Sequence, residues 1–211
     1  MNIDQLRADL QQAGLPEDIK QRNPFELLDE WMAFAAGLDF FNPTAMALST
    51  VDADGFPSVR NVLMRGVVDG GLAFYTNLNS PKGVALRDHP YAETLFSWLD
   101  LDRQIRVRGP VRQLTDEQSD RYFASRPRAS RLAALASDQS AVIPNRAWLM
   151  KRYKTLVAAH DGIEVERPEG WGGFALVPER FEFWQGAEFR LHDRVAFDLV
   201  DGQWSCEQLA P

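Results

Sequence analysis

The chain has 211 residues, of which 45% are hydrophobic, so it can bury the core of one domain with helical additions. Its 23 Lys and Arg residues against 30 Asp and Glu give a net charge of -7, which argues against nucleic acid as the main partner. Any anion must therefore be bound by a local cluster of cations.

The cysteine content and the distribution of apolar residues indicate the cellular compartment in which the protein works. Cys206 is the only cysteine, so no internal disulfide is possible, and three histidines with one cysteine leave little for a structural zinc site. The stretch from Met1 to Leu15 lacks the apolar core of a signal peptide, and no apolar run approaches the length of a membrane span. We expect a cytoplasmic protein that does not bind a membrane.

The first part of the chain is predicted to be helical. Apolar residues in the first ten positions have the spacing of a short amphipathic helix, and we expect residues 1–22 to form an arm or lid. Asn23-Pro24-Phe25-Glu26 combines an N-cap, a proline at the first helical position and an acid in the first turn. A second helix therefore begins there and ends at Gly37.

Short strands separated by turn residues dominate the rest. They are predicted at 45–51, 57–67, 72–76, 92–98, 104–114, 172–177, 180–185, 194–199 and 203–209. A short helix follows Ser80, and the capping box Thr115-Asp116-Glu117-Gln118 opens a helical region that runs to about residue 160. This pattern predicts a mainly β fold, a small barrel flanked by helices.

Cations on separate elements are candidates for binding anions. Lys82 follows Ser80 at a helix N-terminus, where free N–H groups and the helix dipole favour a phosphate. The alternative there is a plain N-cap serine beside a solvated lysine. Arg60 and Arg65 have odd spacing, so on a regular strand they face opposite sides and can serve two pockets.

A second basic cluster follows the capping-box helix. Arg126 and Ser130 are four residues apart, so on one helical turn they share a face and can bind one phosphate together with Tyr122. A solvated basic surface is the alternative. Gln104 opens an apolar strand and can present its amide to a flat heterocycle.

The stretch from Phe183 to Arg194 places a dense polar cluster directly after an alternating strand. Loops held by a rigid sheet often carry ligand chemistry, although a hairpin with solvated charges is the alternative. His192, between Arg190 and Arg194, is suited to hydrogen bonding or proton transfer near neutral pH.

Taken together and in chain order, these residues form a recognisable set from about Pro24 to the C-terminus. The motifs are Arg60-Asn61-Val62-Leu63-Met64-Arg65, Phe74-Tyr75-Thr76-Asn77, Ser80-Pro81-Lys82, Arg103-Gln104, Tyr122, Ser125-Arg126-Pro127-Arg128, Gln139-Ser140, Trp171-Gly172-Gly173-Phe174, Phe183 to Arg194 and Leu209-Ala210-Pro211. The set resembles the pyridoxamine 5'-phosphate oxidase family.

The resemblance implies a particular fold and assembly. The fold is an FMN-binding split barrel: mainly β with flanking helices, a six-stranded antiparallel split β-barrel of Greek-key type. Residues 23–211 would form this single domain, with inserted helices at about 115–160. The family works as a homodimer with FMN at the subunit interface.

The resemblance also implies roles for individual residues. Those implied for FMN are Arg60, Asn61, Val62, Leu63, Met64, Arg65, Tyr75, Thr76, Lys82, Gln104, Gln139, Ser140, Trp184 and Arg194, some reaching over from the partner subunit. Those implied for the substrate are Arg65, Tyr122, Arg126, Ser130, Arg190 and His192. Arg190 and His192 are the catalytic pair, which we expect to orient the ring and balance charge rather than act as nucleophiles.

The implied reaction oxidises pyridoxamine 5'-phosphate and pyridoxine 5'-phosphate to pyridoxal 5'-phosphate, in vitamin B6 biosynthesis and salvage. Hydride passes from the substrate C4' carbon to flavin N5, and O2 is then reduced to hydrogen peroxide. Two alternatives remain: a related flavin oxidase of another heterocycle, such as a dihydrophenazine, and a non-catalytic flavin- or haem-binding split-barrel protein. The intact phosphate cluster favours the first reading over the dihydrophenazine oxidase.

Four positions depart from the family pattern. Arg65 stands where the family usually has lysine, and Pro81 where it usually has a second arginine. Ala187 and Phe189 replace the glycine and histidine of some members. Arginine and lysine present different donor geometries to a phosphate, so an altered substrate is an alternative.

Overall fold

The computed structural model describes residues 2–211. Its helices are α1 (Ile3–Ala13), α2 (Pro24–Ala36), α3 (Pro81–Asp88), α4 (Asp116–Ser125), α5 (Arg128–Ala136) and α6 (Arg146–Ala159). Its strands are β1 (Ala45–Val51), β2 (Pro57–Leu63), β3 (Val67–Val68), β4 (Gly71–Asn77), β5 (Tyr91–Trp98), β6 (Arg103–Gln113), β7 (Trp171–Leu176), β8 (Arg180–Gln185), β9 (Asp193–Val200) and β10 (Gln203–Leu209). Single turns of 3-10 helix lie at Ile19–Gln21, Leu99–Leu101 and Glu188–Arg190.

Two helix starts form as the local sequence dictates. The Asn23 side chain accepts a hydrogen bond from the Phe25 N–H at 2.9 Å, and Pro24 occupies the first position of α2. At α4, Thr115 Oγ1 accepts from the Gln118 N–H at 3.2 Å, while Gln118 Oε1 accepts from the Thr115 N–H at 3.0 Å. Each cap satisfies backbone donors that a helix start would otherwise leave free. Both predictions are confirmed.

The strands form one antiparallel sheet whose longest strand, β6, changes partner along its length. The main path runs β10-β9-β8-β6-β5-β1-β2, while β4 pairs with β3 and β7. Residues 103–108 of β6 pair with β8, and residues 111–113 pair with β7. Gly109 lies at the change, where a Cβ atom would come within 2.0 Å of the Val177 carbonyl oxygen. This close backbone approach lets the sheet curl into a half-barrel.

The predicted fold class is confirmed, with differences in the strands. The described residues form ten strands rather than six, because short β3 and the β8–β10 meander extend the same sheet. The strand predicted at 57–67 is wrong at its end: β2 stops at Leu63 and β3 begins at Val67. Gly66, with φ of 99°, turns the chain there, and the Arg65 N–H bonds to the Ala73 carbonyl oxygen.

The main core lies between the curled sheet and α2. Trp31 of α2 packs edge-on against Phe183 with ring centroids 5.4 Å apart, and Phe25 packs against Phe181 at 5.2 Å. A separate cluster of buried side chains lies under α4 and α5, and consists of Phe123, Leu132, Val165 and Trp171. The second cluster supports the wall of the cavity described below.

Helix α1 is attached to the body of the protein. Gln11 donates to Asp102 Oδ2 at 2.8 Å, and the Leu15 N–H donates to Asp193 Oδ2 at 3.1 Å. The role of residues 1–22 as an arm or lid stays a prediction, and Met1 lies outside the described residues. Within residues 2–211, no helix combines the length and the apolar character needed to cross a membrane.

Candidate functional site

A cavity of about 430 Å³ opens between the sheet and the inserted helices. Its walls come from β2 and the turn after it, β4, α3, α4, α5, the segment after α5 and the start of β7. The lining residues are Asn61, Val62, Leu63, Arg65, Tyr75, Thr76, Asn77, Lys82, Tyr122, Arg126, Ser130, Ala133, Ala134, Ser137, Gln139 and Trp171. They include three cations and no carboxylate, so the cavity favours an anionic ligand.

Lys82 is held by neutral oxygen atoms. Its Nζ donates to Thr76 Oγ1 at 2.8 Å, to Ser80 Oγ at 3.2 Å and to Gln139 Oε1 at 2.7 Å. Burial, together with the nearby Arg60, lowers the pKa of the Lys82 ammonium to about 8. Lys82 is only 9% exposed, so the alternative of a solvated lysine is wrong.

Arg126 and Ser130 reach the cavity by a different route from the one predicted. Arg126 caps the C-terminus of α4, and α5 begins at Arg128, so the two residues do not share one continuous helical turn. The chain breaks at Pro127, whose carbonyl oxygen accepts from the Ser130 N–H. Both side chains line the cavity because this break directs α5 along its wall.

The side chain of Arg126 is half-buried and has no carboxylate partner among the described residues. Its Nη1 is inaccessible to solvent and has no hydrogen-bond partner in the described part of the chain. Burial lowers the pKa of Arg126, and Arg65 acts in the same direction. A buried donor left without an acceptor is costly, so Arg126 retains an unused capacity for binding an acceptor or an anion.

Three aromatic rings form one wall of the cavity. Tyr75 stacks on Tyr122 with centroids 3.8 Å apart and on Trp171 at 5.4 Å. Gly173, the partner of Tyr75 across β4 and β7, leaves space for this ring: a Cβ there would lie 2.7 Å from it. The wall presents flat apolar surfaces beside the cations, as recognition of a phosphorylated heterocycle requires.

Four other predicted residues, Gln104, Trp184, His192 and Arg194, gather on another part of the sheet. Gln104, Trp184 and Arg194 are neighbours across β6, β8 and β9. The His192 ring lies 4.7 Å from Trp184, and its Nδ1 accepts from the Ala187 N–H at 3.2 Å. This bond requires an unprotonated Nδ1, so the ring proton of neutral His192 lies on Nε2.

The structure thus divides the predicted site residues into two groups. Asn61, Val62, Leu63, Arg65, Tyr75, Thr76, Lys82, Tyr122, Arg126, Ser130 and Gln139 line the cavity. Gln104, Trp184, Arg190, His192 and Arg194 do not line it, nor do Arg60, Met64 and Ser140.

Arg60, Met64 and Ser140 have other surroundings within the chain. Arg60 donates to Thr50 Oγ1 at 2.7 Å and to the Leu48 carbonyl oxygen at 3.3 Å. Met64 belongs to the core, and Ser140 is exposed with a φ of 71°.

Sequence reasoning gave no role to Trp171, Ser137, Asn77 or the two alanines of α5, which also line the cavity. For Trp171, the pair of glycines after it was the available signal, because small residues on β7 leave space for rings above the strand.

Residues 31–157 match the family model of pyridoxamine 5'-phosphate oxidase, and residues 171–211 match that of the pyridoxine 5'-phosphate oxidase C-terminal dimerisation region. The chain belongs to the pyridoxamine 5'-phosphate oxidase family. The resemblance seen in the sequence is confirmed.

Relatives within this family match over their full lengths. The pyridoxine/pyridoxamine 5'-phosphate oxidase of Synechocystis sp. is 41% identical over 211 residues, which cover 100% of this chain and 99% of the relative. That of Neisseria meningitidis serogroup C is 42% identical and covers 100% of both chains. Membership of this family implies a flavin cofactor.

Solved structures of related proteins share the fold. PhzG from Burkholderia lata 383, in complex with tetrahydrophenazine-1-carboxylic acid, matches with a TM-score of 0.87 and 29% identity, covering 93% of this chain and 98% of that one. A pyridoxamine 5'-phosphate oxidase-related, FMN binding protein from Nostoc punctiforme has a TM-score of 0.69 at 17% identity, covering 88% and 96%. The second match concerns the fold alone, and the split-barrel prediction is confirmed.

Proposed function

We propose that the protein is an FMN-dependent oxidase that converts pyridoxamine 5'-phosphate and pyridoxine 5'-phosphate to pyridoxal 5'-phosphate, reducing O2 to hydrogen peroxide. Full-length relatives at 41% and 42% identity support this reaction. The observation that carries it is a cavity lined by Arg65, Lys82 and Arg126 with no lining carboxylate, in a chain of net charge -7. Such a cavity is built for phosphorylated ligands.

Lys82 is suited to the flavin phosphate. Its three protein partners are the neutral oxygen atoms of Thr76, Ser80 and Gln139, so its charge remains available to an anion. Asn61, Val62 and Leu63 line the same cavity and would contact the rest of FMN. When bound, the flavin supplies the two-electron acceptor that passes electrons on to O2.

Arg126, Ser130 and Tyr122 would bind the substrate phosphate. The Arg126 side chain lines the cavity and its Nη1 atom has no acceptor within residues 2–211, so the charge of the guanidinium is available to a phosphate. Arg65 adds a further cation beside it. Substrate held in this way is fixed in position and orientation, which accounts for much of the rate advantage that a protein gives a flavin.

We infer that a homodimer completes the site, with FMN at the subunit interface. The group containing Trp184, Arg190 and His192 lines no part of the cavity of its own chain, across the described residues. It lies within the part of the chain that matches the family's dimerisation region. There, the exposed Phe189 and Leu191 flank Arg190, as expected of a surface that a second subunit covers. Arg190 and His192 would then orient the pyridine ring and balance its charge.

A direct assay tests the proposed reaction. The purified protein should show the yellow flavin spectrum and release peroxide with either phosphorylated substrate, and Arg126→Ala should mainly raise KM. Unphosphorylated pyridoxamine is the matched control and should react far less efficiently. Bound FMN with no turnover of either phosphate would contradict the proposal.

Mixed subunits test the shared site. Arg126→Ala and His192→Ala each damage a different group, so each homodimer should be nearly inactive when the substrate concentration is far below the raised KM of Arg126→Ala. Random pairing of the two co-expressed variants makes about half of the dimers heterodimers, and each heterodimer has one intact site out of two. Co-expression should therefore restore about one quarter of the sites. No recovery in verified heterodimers would place both groups in one subunit.

An oxidase of another heterocycle is not favoured. The PhzG structure is 29% identical to this chain, well below the identity of the B6-vitamer oxidases. The cationic cavity supplies phosphate donors that a tetrahydrophenazine carboxylic acid does not require. A non-catalytic binding protein would likewise have no need of the Arg126 group.

A further inference from the structure

Trp171 lies between the sheet and the helix that carries the proposed phosphate-binding residues. It is the first residue of β7, is 7% exposed and lines the cavity. Its backbone pairs with Asn77 of β4, while its ring contacts side chains of α4. The indole therefore connects the rigid sheet to the end of α4, where Arg126 lies.

The Arg126 guanidinium lies against the indole face. Its Cζ is 4.9 Å from the Trp171 ring centroid and 5.6 Å from that of Phe123. An aromatic face attracts a guanidinium electrostatically, particularly where water is excluded. A carboxylate at this place would also hold the cation, but it would occupy the guanidinium N–H donors. The indole holds the charge and leaves Nη1 free of protein partners within the described chain.

The indole is itself fixed from several sides. Its plane lies within 8° of Tyr75 and within 5° of Tyr122, and Phe123 meets it edge-on with centroids 5.0 Å apart. The Trp171 carbonyl oxygen accepts from Arg167 Nη1 at 2.6 Å, and Arg167 Nη2 donates to Asp116 of α4 at 2.7 Å. Trp171 thus has a defined position relative to α4.

We propose that Trp171 is a positioning residue for the substrate phosphate, because its aromatic face holds the half-buried Arg126 guanidinium and leaves the guanidinium donors free. The inference rests on the proposed function for the identity of the anion. It predicts that the aromatic face of residue 171, rather than its bulk alone, sets the preference for a phosphorylated ligand.

Replacement of the indole tests this role in a direct binding measurement. Calorimetric titration with pyridoxal 5'-phosphate should show that Trp171→Leu weakens binding by about tenfold, whereas Trp171→Phe keeps it within about threefold, the range that cation–π energies allow. Binding of unphosphorylated pyridoxal should change little in either variant. Trp171→Met provides a second apolar side chain if the leucine variant does not fold. In turnover, KM for pyridoxamine 5'-phosphate should rise with kcat nearly unchanged.

Two controls separate positioning from general damage. The Trp148 ring centroid lies 5.7 Å from Arg152 Cζ, and neither residue lines the cavity. Trp148→Leu should therefore leave the binding of pyridoxal 5'-phosphate and of pyridoxal unchanged. In an Arg126→Met background, adding Trp171→Leu should cost no further affinity, because the two side chains act as one unit.

The proposal is overturned if leucine and phenylalanine at 171 behave alike, if pyridoxal loses as much affinity as its phosphate, or if the loss persists without Arg126. A wild-type protein with no phosphate preference would overturn this proposal together with the proposed function. One that prefers the phosphate but yields no peroxide would contradict the proposed function alone.

Discussion

The Nζ atom of Lys82 and the Oε1 atom of Gln139 lie 2.7 Å apart, although 57 residues separate them in the chain. This hydrogen bond connects the segment after α5 to the first turn of α3. Thr76 Oγ1 also donates to the same amide oxygen at 2.8 Å. Gln139 therefore supplies a neutral acceptor at the place where the cavity has its most buried cation.

A carboxylate in place of this amide should interfere with cofactor binding. In Gln139→Glu the new charge would neutralise Lys82, so we expect FMN affinity to fall by about tenfold or more, since close charge pairs are strong where water is excluded. Gln139→Ala should have a smaller effect, because it adds no charge. Quenching of flavin fluorescence on titration into the flavin-free protein measures both. The exposed Gln203→Glu serves as the charge-matched control, and equal affinities for Gln139→Glu and wild type would remove Lys82 from the phosphate site.

The low pKa of Lys82 predicts a pH dependence with two opposite signs. FMN affinity should fall above pH of about 8, by up to about tenfold per pH unit, because the free protein loses the Lys82 proton. Lys82 has a pKa below its ordinary value of 10.5, so the unfolded chain binds more protons between these two values. Its contribution to the stability of the flavin-free protein should therefore rise with pH in that window. Lys82→Arg should flatten both profiles, and parallel profiles for variant and wild type would assign the titration to another group.

Gly83 should not tolerate a side chain. A Cβ atom there would lie 2.3 Å from the Leu78 carbonyl oxygen and 2.9 Å from the Leu78 Cα, both backbone atoms that cannot rotate away. We expect Gly83→Ala to lower the free energy of unfolding by about 2 kcal/mol or more and to weaken flavin binding, because α3 must shift at Lys82. Gly37→Ala is the matched control: its Cβ would lie 3.4 Å from the Phe34 carbonyl oxygen, so stability should change by less than about 1 kcal/mol. Urea unfolding distinguishes the two, and a neutral Gly83→Ala would refute the packing argument.

Arg167 should stabilise the wall of the cavity from behind. It donates to the Trp171 carbonyl oxygen and to both Asp116 and Asp120 of α4. We expect Arg167→Ala to cost about 1–3 kcal/mol of unfolding free energy, because a partly buried carbonyl loses a charged donor. Arg7→Ala removes an exposed pair with Asp4 and should cost less than about 1 kcal/mol. Equal losses in thermal or urea unfolding would show that Arg167 acts as an ordinary surface charge.

The features predictable from sequence are those encoded within a few residues. The Asn23-Pro24 helix start and the Thr115–Gln118 capping box depend on side chains that bond to their own backbone neighbours. The end of β2 was missed because it depends on the backbone turn at Gly66, and alternating apolar residues on both sides conceal that turn. Strand order was equally hidden, since pairing between β4 and β7 joins distant parts of the chain.

The family resemblance identified most of the cavity residues. It did not show that the predicted site residues of one chain lie in two separate groups. It offered Arg126 and His192 as one substrate group, whereas a single chain brings only Arg126 to the cavity. The sequence suggested no functional role for Trp171, because a tryptophan beside an apolar strand usually belongs to the hydrophobic core. Its contact with Arg126 and its place in the cavity wall distinguish it from the other tryptophans.

The pairing of β4 with β7 also determines the stage of chain synthesis at which the cavity can form. The lining residues of β4 and α3 are synthesised early, but Trp171 comes nearly a hundred residues after Tyr75. A chain still emerging from the ribosome therefore has no enclosed site until β7 has been synthesised and has closed this long loop. Under the proposed function, flavin binding is therefore a late event that requires β7 to have paired with β4.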